Sequence, residues 1–134
     1  MTRDTPSTRQ FRFAYFTPRY RETVSFYADR LGLPVLDSWD RSTDDKGTVF
    51  GAAAGRIEVL NQPLDAAASE HFFDDRSPQG AFMVVEVDEV DAFHSRLESN
   101  GAVVERPLQD QSWGHRSFVI REPNGLRLYF YSEL

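Results

Sequence analysis

AFMVVEVDEVDAFHSRLESNG, running from Ala81 to Gly101, reads as a strand, a helix start, a helix and a helix stop in that order. Ala81 to Val87 is almost wholly apolar, which suits a strand with its side chains divided between two faces. Asp88 is placed to cap a helix N-terminus, because a short carboxylate there can accept the free N–H groups of the first turn. Val90, Phe93 and Leu97 follow at helical spacing, and Asn100-Gly101 supplies the residue types that close a helix. Downstream, strands are expected near Ala102–Glu105, Ser117–Arg121 and Leu126–Tyr131, with Glu122-Pro123-Asn124-Gly125 as the turn of the last hairpin. The unit is β-α-β-β-β.

The same order stands upstream. Phe11 to Phe16 alternates as a strand, and Thr17-Pro18 stops it, since proline cannot continue a ladder. Tyr20, Val24, Tyr27 and Leu31 mark the apolar stripe of a helix over Arg19–Leu31, closed by Gly32 with Pro34 just beyond. Three strands follow near Val35–Trp39, Thr48–Ala53 and Arg56–Leu60, with Asp44-Asp45-Lys46-Gly47 and Ala54-Gly55 in the turns. Leu31-Gly32-Leu33 falls 69 positions before Asn100-Gly101-Ala102, and Ile57–Leu60 falls 71 before Leu128–Tyr131, as a duplicated unit with small insertions requires. Module one therefore covers about 11–61 and module two about 81–132 of a single domain, 1–134. Residues 1–9 read as a polar arm. The connection 62–80 holds two prolines, the small-residue run 66–69 and the cluster His71-Phe72-Phe73-Asp74-Asp75, a loop with lid as its functional reading.

Composition narrows the function. The chain has 134 residues and no cysteine, which removes disulfides, thiolate metal sites and a cysteine nucleophile. A net charge of −6 opposes a nucleic-acid partner, because phosphate binding needs a basic face. No apolar run is long enough for a membrane span, so a cytoplasmic location without membrane contact is expected. With 11 Phe, 5 Tyr and 2 Trp, the aromatic supply exceeds what a core this small needs, and the surplus points to a ligand site. No Ser-His-Asp spacing, phosphate loop or dinucleotide fingerprint is present.

A β-α-β-β-β unit covers one face of its sheet with its helix and leaves the other open. Two such units side by side predict an α+β fold, a curved eight-stranded sheet around a cavity. Here Phe26-Tyr27…Leu31-Gly32-Leu33 and Val87-Asp88…Gly101-Ala102…Trp113-Gly114…Glu122-Pro123-Asn124-Gly125 resemble the vicinal oxygen chelate superfamily of glyoxalase I, extradiol dioxygenases, and fosfomycin- and bleomycin-resistance proteins. The resemblance covers about residues 11–132 and is nearest in character to the metal-free bleomycin-resistance-like members.

That resemblance implies one divalent metal held by His and Glu on the first and last strands of each half, acting as a Lewis acid. The ligand positions fall on Arg12 and Glu58 in the first half and on Phe82 and Tyr129 in the second, with Ala14 and Val84 as the residues one register away. Only Glu58 keeps a ligand-type side chain, so no metal and no cofactor are expected, a divalent metal being the alternative. His71, His94 and His115 stand far apart in the sequence pattern. His71 and His94 read as surface or capping residues, while His115 borders the cavity strand.

Strand alternation sorts the rest. Leu126, Leu128 and Phe130 pack under the helices, as do Met83, Val85 and Val87. Arg12, Ala14, Phe16, Glu58, Leu60, Phe82, Val84, Glu86, Arg127, Tyr129 and Tyr131 face the cup. The ligand-binding set is Arg12, Phe16, Glu58, Phe82, Glu86, Trp113, His115, Tyr129 and Tyr131. In bleomycin-resistance proteins a tryptophan placed like Trp113, before a glycine, helps form an aromatic slot; a rim residue steadying its hairpin is the other reading. Glu58 either pairs with Arg12 or meets ligand directly, and it or Glu86 is the candidate general base if catalysis is present, Glu58 being the one preferred. Trp39 and Phe50 fit cavity and core equally.

The expected function is a metal-free small-molecule-binding protein that sequesters an aromatic or cationic compound such as an antibiotic. The alternatives are a lyase, isomerase or dioxygenase with a displaced metal site, and an accessory module acting through protein contacts. Open sheet edges and the habits of small members of this superfamily point to a homodimer.

Overall fold

The computed structural model describes residues 7–63 and 79–134. Module one runs β1 (Arg12–Thr17), α1 (Tyr20–Ser25), β2 (Val35–Ser42), β3 (Asp45–Ala52) and β4 (Gly55–Asn61). Its helix continues beyond α1 as a wider π-helical turn over Phe26–Arg30. Module two runs β5 (Phe82–Glu86), α2 (Val90–Ser99), β6 (Val104–Asp110), β7 (His115–Arg121) and β8 (Arg127–Glu133). Both modules have the β-α-β-β-β order.

Hydrogen bonding divides the eight strands into two four-stranded sheets, ordered β1-β4-β3-β2 and β5-β8-β7-β6. In each, the first strand lies parallel to the last and the remaining pairs are antiparallel. The register places Ala14 opposite Glu58 in one sheet and Val84 opposite Tyr129 in the other, equivalent positions of the duplicated unit. Gly32 and Gly101 both adopt positive φ, 66° and 86°, where a side chain would be strained, and each ends its helix.

Two local expectations are corrected. The residue before α2 is Glu89 rather than Asp88, and its side chain makes no cap bond. The Val90 N–H instead donates to Ser132 Oγ at 3.1 Å, a long-range cap from β8. The sixth strand was expected to end at Glu105; it extends to Asp110 through Pro107. Proline is tolerated because β6 is an edge strand whose pairing with β7 is irregular between Arg106 and Gln109.

The helix-bearing faces of both sheets turn toward one shared core. Tyr27, Leu31, Phe50 and Val59 from module one and Leu97, Phe118, Ile120, Leu128 and Phe130 from module two are at most 2% exposed. Each such side chain contributes roughly 1.5–3 kcal/mol by leaving water, so the alternation of Leu126, Leu128 and Phe130 fixes which face of β8 is buried. Phe50 is therefore core. The ends of the two helices are tied together, with Arg30 Nη1 donating to the Asn100 carbonyl and Asn100 Nδ2 to the Arg30 carbonyl.

A buried polar knot joins the modules where they meet. The carboxylate of Glu122, 2% exposed, accepts from the N–H groups of Asn124 and Leu126, from Asn124 Nδ2, and from the Tyr15 hydroxyl at 2.8 Å. Tyr27 Oη meets Tyr15 Oη at 3.0 Å, and Asn124 also bonds Thr17 and Thr23. Burial is the first cause raising the pKa of both tyrosines, which hold their protons throughout the ordinary range. The faces opposite this core carry exposed side chains, Phe82 and Val84 of β5 among them.

Candidate outer-face binding site

On module two the outward side chains form an aromatic and polar surface. The register aligns Phe82 with Arg127, Val84 with Tyr129, and Glu86 with Tyr131, and aligns His115, Ser117 and Val119 with Glu133, Tyr131 and Tyr129. Phe82, Val84 and Trp113 are 64%, 55% and 61% exposed, unusual for apolar groups on one strand and a nearby turn. Phe82, Val119, Arg127 and Tyr129 line a cavity of about 470 Å³ on this face. A groove of about 630 Å³ lies along the module boundary, between Phe11 and the β3–β4 turn on one side and Phe82, Val84 and Glu86 on the other.

Tyr129 is the centre of the cluster. Its hydroxyl receives the indole N–H of Trp113 at 3.0 Å and lies 3.0 Å from His115 Nδ1. The His115 ring stacks on Tyr131 with centroids 3.9 Å apart and planes 17° from parallel. His115 Nε2 faces Glu133 at 3.8 Å, and Glu86 stands opposite Tyr131 in the register. Loss of solvent on the sheet, then the Glu86 and Glu133 charges, raise the pKa of Tyr131. Arg127 and Arg121 share Glu105, whose carboxyl these bonds hold below the usual range, the Arg127 hydrogen bond first.

Module one presents a sparser outward face. Arg12 Nη1 bonds Glu58 Oε1 at 2.8 Å, so the charge pairing of these two residues is realised. Trp39 lies over Gly47, where any Cβ would collide with the ring, and its indole donates to Asp45 while Arg41 covers it. Phe16 shares the face with Leu60 but is 7% exposed.

The structure thus puts Phe82, Glu86, Trp113, His115, Tyr129 and Tyr131 on one surface, while Arg12, Phe16 and Glu58 stand on the other sheet. His94 packs edge-on against Phe118 with Glu98 beside it, away from this surface. His71 and the cluster through Asp75 lie outside the described residues. Sequence reasoning missed Glu133, which backs His115, and Glu105, which gathers Arg121 and Arg127. Both are acids opposite a basic or imidazole residue on a neighbouring strand, a signal visible only once the register is known.

The metal positions carried over from the resembling family hold Arg12, Glu58, Phe82 and Tyr129. This donor set does not fit a divalent cation: its one carboxylate is already bonded to a guanidinium, and an arginine and a phenylalanine offer no lone pair. Among the described residues no three His, Asp or Glu side chains converge, and no helix is long and apolar enough to cross a membrane.

Residues 9–130 match the model of the Glyoxalase/Bleomycin resistance protein/Dioxygenase superfamily. No curated protein matches the chain. Among solved structures, TioX from Micromonospora sp. ML1 is similar at 19% identity and TM-score 0.73, covering 95% of this chain and 100% of that one. TnmS3, an antibiotic binding protein from Streptomyces sp. CB03234, is similar at 15% identity and TM-score 0.69, covering 97% and 99%. A lactoylglutathione lyase from Agrobacterium tumefaciens is similar at 18% identity and TM-score 0.68, covering 96% of each. At these identities the likeness is one of fold.

Proposed function

The chain belongs to the glyoxalase/bleomycin resistance protein/dioxygenase superfamily, and within it we propose a metal-free small-molecule-binding protein that sequesters a planar aromatic or cationic compound, an antibiotic being the apt class. The observation that carries this reading is the exposed aromatic surface of module two. Phe82, Val84 and Trp113 are left open to solvent beside half-buried Tyr129 and Tyr131. Flat apolar rings with a few fixed polar groups are what a pocket for a planar molecule needs. TnmS3, described as an antibiotic binding protein, shares the fold over nearly all of both chains and gives the reading its chemical precedent.

The outward direction of both sheet faces supports a second element of the proposal. One chain alone leaves the site open on one side, and a second copy, seated so that module one of the partner covers module two, would close it. A cytoplasmic homodimer binding its ligand in two equivalent clefts is the form proposed.

Titration followed by tryptophan fluorescence tests the site. Quenching by a planar probe such as acriflavine should be lost in Trp113→Phe and kept in Trp39→Phe. Elemental analysis of the purified protein tests the chemistry, and a divalent ion bound near one per chain would overturn the metal-free reading in favour of a lyase, isomerase or dioxygenase. Sedimentation equilibrium showing only monomer at micromolar concentrations would remove the composite cleft.

A further inference from the structure

The hydrogen-bond directions around Tyr129 say more than that the surface is aromatic. The Trp113 indole can only donate, so it occupies one lone pair of the Tyr129 oxygen. His115 Nδ1 contacts the same oxygen, and its tautomer decides where the tyrosine proton goes. A carboxylate, Glu133, faces the opposite ring nitrogen, Nε2. That negative charge favours the proton on Nε2, leaves Nδ1 as an acceptor, and draws the Tyr129 proton to it. Stacking on Tyr131 holds the ring in this orientation. Tyr129 then has no proton to offer a ligand and one lone pair still open.

Once the Arg127–Glu105 pair is set aside, the charged groups beside this point are carboxylates. On β5 there is Glu86, exposed and opposite Tyr131; on β8 there is Glu133, 65% exposed. On β7, Arg116 points elsewhere, toward Asp91 and Asp110. Arg127 stands two residues from Tyr129 along β8, roughly 7 Å at strand rise, and its guanidinium is engaged by Glu105, which also holds Arg121. Around Tyr129 the unspent valences are therefore lone pairs, set beside the rings of Trp113 and Tyr131.

Resting on the reading of this surface as the ligand site, we propose that the group it takes beside Tyr129 is a cationic N–H donor (an ammonium, amidinium or guanidinium) carried on a planar ring. The N–H donates to the Tyr129 oxygen, the positive charge lies between Glu86 and Glu133, and the ring lies against Trp113. A neutral isostere lacks the charge, and a carboxylate in the same place meets two carboxylates and an acceptor oxygen.

Three naphthalene derivatives of nearly one shape separate the cases: the carboxamidine, the carboxamide and the carboxylate. Their binding is read as Trp113 quenching in the Trp39→Phe background, so the signal reports this end of the surface. The carboxamidine should bind at least about ten-fold more tightly than either other probe, as one well-placed charge-assisted contact supports. In Glu86→Gln/Glu133→Gln, both exposed sites where the fold is indifferent, the preference should fall to about two-fold or less. In Tyr129→Phe the carboxamidine should weaken by about three- to ten-fold and the carboxamide by less than about two-fold. Equal binding of all three probes, or tightest binding of the carboxylate, overturns the assigned polarity and leaves the planar-ligand reading standing. No quenching by any probe at millimolar concentration overturns both.

Discussion

Tyr15→Phe removes one oxygen from the knot that sets the two modules against each other, and its cost can be worked from the contacts. Glu122 is a buried carboxylate solvated by four hydrogen bonds, of which the Tyr15 hydroxyl supplies one at 2.8 Å. A hydrogen bond to a charged group contributes about 1.5–3 kcal/mol, and the Tyr27 hydroxyl, left facing a bare ring, adds about 1 kcal/mol. The variant should therefore lose about 2.5–4 kcal/mol at pH 7, read as a lower urea midpoint at unchanged slope. Alkaline pH supplies an independent check on the cause. Burial raises the pKa of Tyr15, so the folded chain keeps a proton that the unfolded chain begins to release near pH 10. This stabilisation is complete below the unfolded-state pKa and declines above it, by about 1.4 kcal/mol per pH unit for one tyrosine. Wild type should thus lose stability between about pH 10 and 12 more steeply than Tyr15→Phe, by that amount per unit. Parallel pH profiles, or a midpoint shift worth less than about 0.5 kcal/mol, would refute the knot as described.

Gly47→Ala should displace the Trp39 ring that lies over it, costing about 1–3 kcal/mol and shifting Trp39 emission to the red in a Trp113→Phe background. Leu97→Ala, at a fully buried position of α2, should cost about 2–5 kcal/mol. Because the core is shared, near- and far-UV circular dichroism should still report one transition in that variant; two separated transitions would mean the modules melt independently. Arg12→Ala breaks the bond to Glu58, but the arginine is 39% exposed, so thermal unfolding should register less than about 1 kcal/mol.

Much of this architecture was legible because it is repeated. The glycines at 32 and 101 mark the same helix ending twice, and period-two alternation in Leu126, Leu128 and Phe130 names the buried face of β8 without reference to any partner. The errors were long-range. Nothing near Asp88 reveals that Ser132, 42 residues beyond Val90, caps the second helix. Pro107 reads locally as a stop, yet the strand's place at the sheet edge lets it continue. Glu122-Pro123-Asn124-Gly125 reads as a hairpin turn and is one, but its glutamate owes its burial to Tyr15, 107 positions away.

The site divides along the same line. Alternation identified Phe82, Glu86, Tyr129 and Tyr131 as sharing a face, since that needs only the strand period. Alternation cannot say what covers a face. Here the helix-bearing faces of both modules share one core, and the opposite face of module two is left exposed at Phe82 and Val84. The position at which the wider family places a metal ligand holds Tyr129, whose oxygen is oriented by Trp113 and His115 rather than by a cation. A hydroxyl held in this way keeps a directional lone pair at that point while offering no Lewis acid. Under the proposed reading, the change turns a place suited to polarising substrate oxygens into one suited to receiving an N–H donor. Sequence could show that the ligand side chain was missing; only the register and the imidazole facing it show what replaced its chemistry.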